Sequence, residues 1–172
     1  MPDAWPLWSW VLVALLVLTL VLATGWLSWT AGRLDRMHLR CEASVSSLQT
    51  QLVRRASLAA ELATGGLTDP ASALLLLETA AAARDGAAND GSWQEHSDLT
   101  AALRAVQLPT LEEEPLMADL ADACRRVSLM RRIHNDQAAT TIALRQRRRV
   151  RWFRLAGEAP EPAMVAFDDR DP

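Results

Sequence analysis

The sequence predicts an all-α protein, a single N-terminal transmembrane helix followed by an antiparallel four-helix bundle. Three observations carry that expectation. The first 32 residues contain an apolar run long enough to cross a bilayer. Beyond it, apolar residues recur at a period close to that of a helix. Strand-like alternation is hard to find, in a chain with no Tyr and two Phe.

From Ala4 to Gly32 there is no charged side chain, and Leu7–Leu27 is dominated by Leu, Val and Ala. About 20 such residues at 1.5 Å each span a hydrocarbon core of roughly 30 Å. Trp5, Trp8 and Trp10 stand at one end, Trp26 and Trp29 at the other. Trp8 and Trp29 are about 31 Å apart along a helix, the separation of the two interfaces where indoles collect. Only Asp3 carries charge before the run, whereas Arg33, Arg36 and Arg40 follow it. Arg-rich flanks stay cytoplasmic, so the N-terminus is expected outside and residues 33–172 inside, in a single-pass protein of a bacterial plasma (inner) membrane. A cleavable signal peptide wants a basic start and an apolar core of roughly 7–15 residues. Here the start is acidic, the core is longer, and Ala23-Thr24-Gly25 is a poor cleavage site, so residues 1–32 read as an anchor.

The first helix of the bundle continues from Leu34 through Met37, Cys41, Val45, Leu48, Leu52, Ala56, Ala59 and Leu62 or Ala63, a stripe spaced near 3.6. No Pro separates it from the span, and Thr64-Gly65-Gly66 ends it. Asp69-Pro70, an N-cap with Pro at the first helical position, opens a second helix over about 70–84, with Gly86 as terminator. Ser92 and Glu95 read as a capping box for a third, over about 93–107, presenting Trp93, His96, Leu99, Leu103 and Val106 on one face. Thr110 and Glu113 form another box, and Pro115 leaves the start of the fourth helix between 111 and 115. That helix is expected to reach about Trp152, with Leu116, Leu120, Ala123, Val127, Met130, His134, Ala138, Thr141 and Leu144 or Arg145 inward. The bundle thus occupies 33–156. Residues 157–172, rich in Pro and acids and without periodicity, are expected to be a disordered tail.

All 18 basic residues are Arg, and the net charge of −3 gives no overall pull toward nucleic acid. Two cysteines suit a reducing compartment. Were they to pair, partners on the first and last helices should have numbers summing to about 178, which sets Cys41 opposite about 137 and roughly 20 Å from Cys124. A disulfide needs Cα atoms within about 7 Å, so none is expected. His38 and Cys41 share a helix face, but zinc needs three or four protein ligands and no others are spaced to complete a set. No metal, cofactor or catalytic constellation can be assembled, and the chain is expected not to be an enzyme.

Two blocks carry a resemblance. Gln51-Leu52-Val53-Arg54-Arg55 is similar to the "QLKRR" segment of LemA-like membrane-anchored helical proteins. Arg125-Arg126-Val127-Ser128-Leu129-Met130-Arg131-Arg132-Ile133-His134-Asn135-Asp136 resembles their "A-R-R-x-Y-N" segment. The order of anchor, long helix, two shorter helices and long helix agrees, over roughly residues 30–155. His134 stands in place of the usual Tyr, Thr141-Ile142 in place of a second Tyr-Asn, and the Pro after the first block is missing. Arg151-Trp152-Phe153-Arg154-Leu155-Ala156-Gly157 replaces the closing "FP" segment, as in a divergent, actinobacterial-type branch. The resemblance implies a bundle on an anchor without an established catalytic role.

Two surfaces are candidates for function. Arg54, Arg55, Arg131, Arg132, His134, Asn135 and Asp136 lie in the family-like blocks and offer either a polar layer with partner contacts or a solvated face. By the pairing sum, Arg54 and Arg55 fall near Asp119 and Asp122, where ion pairs are expected. Arg145, Arg147, Arg148, Arg149, Arg151 and Arg154, with Trp152 and Phe153, form a basic end. Helix parity returns that end to the cytoplasmic leaflet, which favours anionic lipid over nucleic acid, with plain solvated charge as the remaining reading. The expected partners are the bilayer, an unidentified membrane or cytoplasmic protein, and a further copy of the chain. The expected role is a scaffold or interaction module, with lipid binding through the basic end as the alternative.

Overall fold

The computed structural model describes residues 7–88, 93–108, 115–152 and 160–169. Every regular element among them is a helix: α1 (Leu7–Thr64), α2 (Pro70–Ala88), α3 (Gln94–Ala105), α4 (Pro115–Arg145) and α5 (Arg148–Trp152).

The apolar run and the first amphipathic stripe form one uninterrupted helix of 58 residues. Its N-terminal part is long and apolar enough to cross a membrane, and its leucines and valines from Val11 to Leu22 lie on the surface of the protein. Thr19, Thr24 and Thr30 turn their hydroxyls onto the carbonyls of Leu16, Leu20 and Trp26, at 2.7–2.8 Å, which satisfies the O–H groups within the helix. From Leu34 the helix acquires a buried face: Leu34, Cys41, Leu48, Leu52, Ala56, Ala59, Leu62 and Ala63 are buried, Met37 and Val45 half so. Gly65 donates its N–H to the Glu61 carbonyl, and Gly66 follows at φ +71°, a conformation in which a Cβ is costly.

Asp69 caps α2 as its sequence implies. One carboxylate oxygen accepts the Ser72 N–H and the other the Ser72 hydroxyl, which holds the Asp69 carboxyl below its ordinary range. Gly86 is not the terminator expected of it. It lies inside α2, where an added Cβ would stand 3.2 Å from a carboxylate oxygen of Glu95 and 3.5 Å from its Cβ, so α3 passes close by. α3 is slightly shorter than anticipated, giving way to extended backbone at Val106. Ser92, Thr110 and Glu113, and hence both capping boxes, lie outside the described residues.

α4 stops at Arg145 instead of running to Trp152. The Arg147 N–H bonds the Leu144 carbonyl three residues back, a tightened turn, before α5 begins. A straight continuation of the inward stripe through Thr141 and Arg145 would have brought Arg148 inside. The turn moves the buried position to Val150 and leaves Arg148 in solvent.

Side chains of α1, α2, α3 and α4 meet in one apolar cluster around Leu62, Leu76, Leu99, Leu103 and Leu120. Each such leucine contributes roughly 1.5–3 kcal/mol by leaving water. A second cluster joins Leu48 and Leu52 of α1, Val127 of α4 and Val165 of the tail. Along α1, Ser47 meets Met130 and Ser44 meets His134. Further toward its N-terminal half, Trp26 to Arg33 line a cavity with Leu144 to Val150. Among the described residues, the backbones of α3 and α4 do not approach within 8 Å, Cα to Cα. The space between them is taken by the tail.

Residues 160–169 therefore differ from the disordered segment expected. They carry no regular secondary structure, yet Val165 is buried and Phe167 and Asp169 are half-buried. Helical periodicity is the wrong test for such a stretch: an extended segment is held through its own backbone polar groups, which composition does not reveal.

Candidate functional site

The site is a groove with α1 as its floor and α3 and α4 as its walls, occupied by Pro160–Asp169. The Arg145 guanidinium donates to the Pro160 carbonyl at 2.8 Å. Nε2 of His134 lies 3.0 Å from the Ala163 carbonyl, which can only accept, so this nitrogen carries the proton. Asn135 donates from Nδ2 to the Val165 carbonyl and accepts the Val165 N–H on Oδ1, both at 2.9 Å. Thr100 donates its hydroxyl to the Asp168 carbonyl at 2.8 Å, and Ser97 accepts the Asp168 N–H at 3.2 Å. These bonds address main chain and are indifferent to side-chain identity.

Side-chain selection comes from three places. Val165 enters the cluster of Leu48, Leu52 and Val127. Phe167 stacks on Trp93, with ring centroids 6.0 Å apart and planes at 18°, and lies 5.9 Å from the His96 ring. Asp169 receives both Nε and Nη2 of Arg131 at 2.9 Å, a forked pair largely shielded from water. The Arg131 and Arg55 guanidinium carbons lie 5.7 and 6.0 Å from the Phe167 centroid, so the ring is flanked by two cations.

Arg55 is the unexpected member. It is not paired with Asp119 or Asp122; Asp122 instead binds Arg125 and Arg126 of its own helix, and Arg125 chiefly lowers its carboxyl pKa. Arg55 is buried, donating to the Thr100 hydroxyl at 3.2 Å and the His96 carbonyl at 3.0 Å. Burial pulls its guanidinium pKa down, partly opposed by Cys124 and Asp169. His96 beside it is fully buried, with both ring nitrogens unpartnered among the described residues. Desolvation first, then the Arg55 charge, lowers His96 to about 4, so the ring is neutral.

On the α1 side, His134 Nδ1 faces the Ser44 hydroxyl at 2.9 Å and the Cys41 sulfur at 3.9 Å. The ring bridges α1 to the tail. Burial, with Glu42 adding to it, pushes the Cys41 thiol up, the reverse of what a reactive thiolate needs. Both cysteines are buried and neither is in a disulfide, and His38 makes a 3.1 Å contact with Glu42.

The groove thus brings together Arg55, Arg131, His134, Asn135 and Arg145 and leaves other candidates apart. Arg145, expected with the basic end, serves the tail. Arg54, Arg132 and Asp136 are exposed; Asp136 shares a shallow pocket with Arg40. Trp8, Trp10, Arg36, Arg40, Arg151 and Trp152 are exposed, as are Trp26, Trp29, Arg33, Arg147 and Arg148, which line one cavity where the apolar part of α1 ends. Trp5, Phe153, Arg154 and the Arg149 side chain lie outside the description. Sequence reasoning missed Ser44, Ser97, Thr100, Val165, Phe167 and Asp169. The available signal was Val165-Ala166-Phe167, two large apolar residues at the two-residue period of an extended chain in an otherwise polar tail.

No family model matches this chain, and no curated protein or solved structure matches it either.

Proposed function

We propose that the chain is a non-enzymatic, membrane-anchored helical scaffold, a protein-interaction module whose working surface is the groove between α1, α3 and α4. Its helices form an antiparallel four-helix bundle at the cytoplasmic face of a bacterial membrane, with the N-terminus outside. The order in which α1 residues meet α4 residues supports the antiparallel arrangement, since Ser44 pairs with His134 and Ser47 with Met130. The apolar run followed by Arg33, Arg36 and Arg40 supports the anchor and its orientation. The LemA-like blocks support the same reading.

The observation that carries the function is the two-bond pairing of Asn135 with the Val165 backbone. A side chain that reads both polar groups of one peptide residue is a device for holding extended chain, as a neighbouring strand would. The tail fills the groove in cis, and a partner segment, or the tail of a second copy, would fill it in trans.

The test is a chain truncated after Leu155, given a labelled peptide of residues 160–169. Saturable binding that is lost with Asn135→Ala, and not reproduced by a scrambled peptide, supports the module. A truncated chain that keeps its helicity and ignores the peptide refutes it.

A further inference from the structure

Where the apolar part of α1 gives out, that helix and the α4–α5 turn border a half-open cavity of about 450 Å³, within the range of small-molecule sites. Trp26, Trp29, Thr30, Arg33, Arg147 and Arg148 are among its lining residues, and among the described residues no carboxylate is. The surface it presents is almost wholly apolar, Leu144 and Val150 included. Two indoles line it, and the Thr30 hydroxyl is already spent on the Trp26 carbonyl, so this part of the lining offers a ligand apolar contact. Arg33, Arg147 and Arg148 line it chiefly with their methylene stems, are otherwise exposed, and among the described residues none of the three is held in an ion pair.

We propose that this cavity seats an anionic phospholipid, its phosphodiester among Arg33, Arg147 and Arg148 and its glycerol ester and first methylenes against Trp26 and Trp29. Guanidinium groups suit phosphate oxygens, and indoles suit the depth at which headgroup meets acyl chain. A soluble phosphate satisfies the Arg and leaves the indoles without a partner. A zwitterionic lipid brings its own cation against three others. Arg33 is the first charged residue after Asp3, which sets the site at the boundary of the apolar run. The proposal rests on that run lying in a bilayer and is independent of the groove.

The full chain, purified in non-ionic detergent, is titrated with phosphatidylglycerol, phosphatidylcholine or glycerol phosphate, and bound species are counted by native mass spectrometry. Phosphatidylglycerol is retained over phosphatidylcholine, and glycerol phosphate is not retained. Arg33→Gln, Arg147→Gln and Arg148→Gln each lower the preference about five-fold, the share of one Arg at an anionic surface. The corresponding Lys variants recover most of it. Thr30→Phe fills the cavity with every charge kept and also lowers retention, whereas Arg125→Gln with Arg126→Gln does not. Equal retention of the two lipids overturns the proposal. So does equal binding of glycerol phosphate, which marks a soluble-anion site, or an equal loss from the Arg125 and Arg126 pair, which marks net charge alone. Should the Gln variants lose helicity, Thr30→Phe and the Lys variants decide.

Discussion

Asn135 is joined to Val165 as one strand is to the next, its carboxamide donating to the carbonyl and accepting from the N–H at 2.9 Å each. Neither bond depends on the Val165 side chain, which is held separately by Leu48, Leu52 and Val127. Asn135→Ala removes both bonds and leaves the Val165 N–H without its acceptor. At about 1 kcal/mol per bond, the released state of the tail should rise by roughly thirty-fold. Limited proteolysis within 160–169, or hydrogen exchange at the Val165 amide, measures it. Asn135→Asp keeps the acceptor and should fall between.

The buried stripe of α1 makes an unequal set of variants. Leu48 and Leu52 are both fully buried, whereas Arg54 is exposed. Leu48→Asp or Leu52→Asp puts an unpaired carboxylate among apolar side chains, a cost of several kcal/mol against a total of about 5–15. Arg54→Ala should stay within about 0.5 kcal/mol of the parent. Thermal melts followed by circular dichroism should show these classes well apart.

Arg55 tests what a buried cation does in the groove floor. Arg55→Ala leaves a cavity and should cost about 2–4 kcal/mol in a denaturant melt. Arg55→Met fills most of that volume without a charge to desolvate, so it should be markedly milder, since buried ions are often replaceable by apolar groups of similar size. The Met variant should nonetheless loosen the tail, because Phe167 loses one of its two flanking cations.

The helices and the apolar run of α1 were legible in sequence because their signals are local. The stripe from Leu34 to Ala63 and the Asp69-Pro70 start depend on neighbours a few residues away. The groove was not legible, because its determinants are scattered. Nothing near Asn135 says that its partner is thirty residues on, and nothing near Arg55 says that α3 will offer it the Thr100 hydroxyl and His96 carbonyl. The family-like blocks drew attention to Arg131, His134 and Asn135 without indicating the tail as what they hold. Gly86 misled because a glycine before a loop looks like a helix stop, while it lies inside α2 beside Glu95.

His96 gives the fold a defined pH dependence. The unfolded side chain takes up its proton near 6.5 and the folded one only near about 4. Between these values the unfolded chain holds more protons, so stability falls as pH falls through that window and is flat from this residue above it. The loss should reach the order of 2–3 kcal/mol at the acid end. Melts across the window should show the slope, and His96→Leu should flatten it.

The orientation is checked by a reporter fused after Pro172. With Arg33, Arg36 and Arg40 held inside, a fluorophore that matures only in the cytoplasm should be active, and a phosphatase that requires export should be silent. The opposite pattern would reverse the sidedness and leave the fold untouched.

If α1 is the anchor proposed, its uninterrupted course makes it a gauge of height as well as a tether. With the apolar run in a bilayer, Ser44 and Arg55 stand about 22 and 39 Å along the helix from Trp29, on a rod with no joint between. The groove therefore cannot stoop to a ligand. A partner anchored in the same bilayer must climb to it, which takes roughly 4 extended residues to the Pro160 end beside His38 and about 12 to the level of Arg55. Shorter linkers are excluded by reach alone, whatever their sequence.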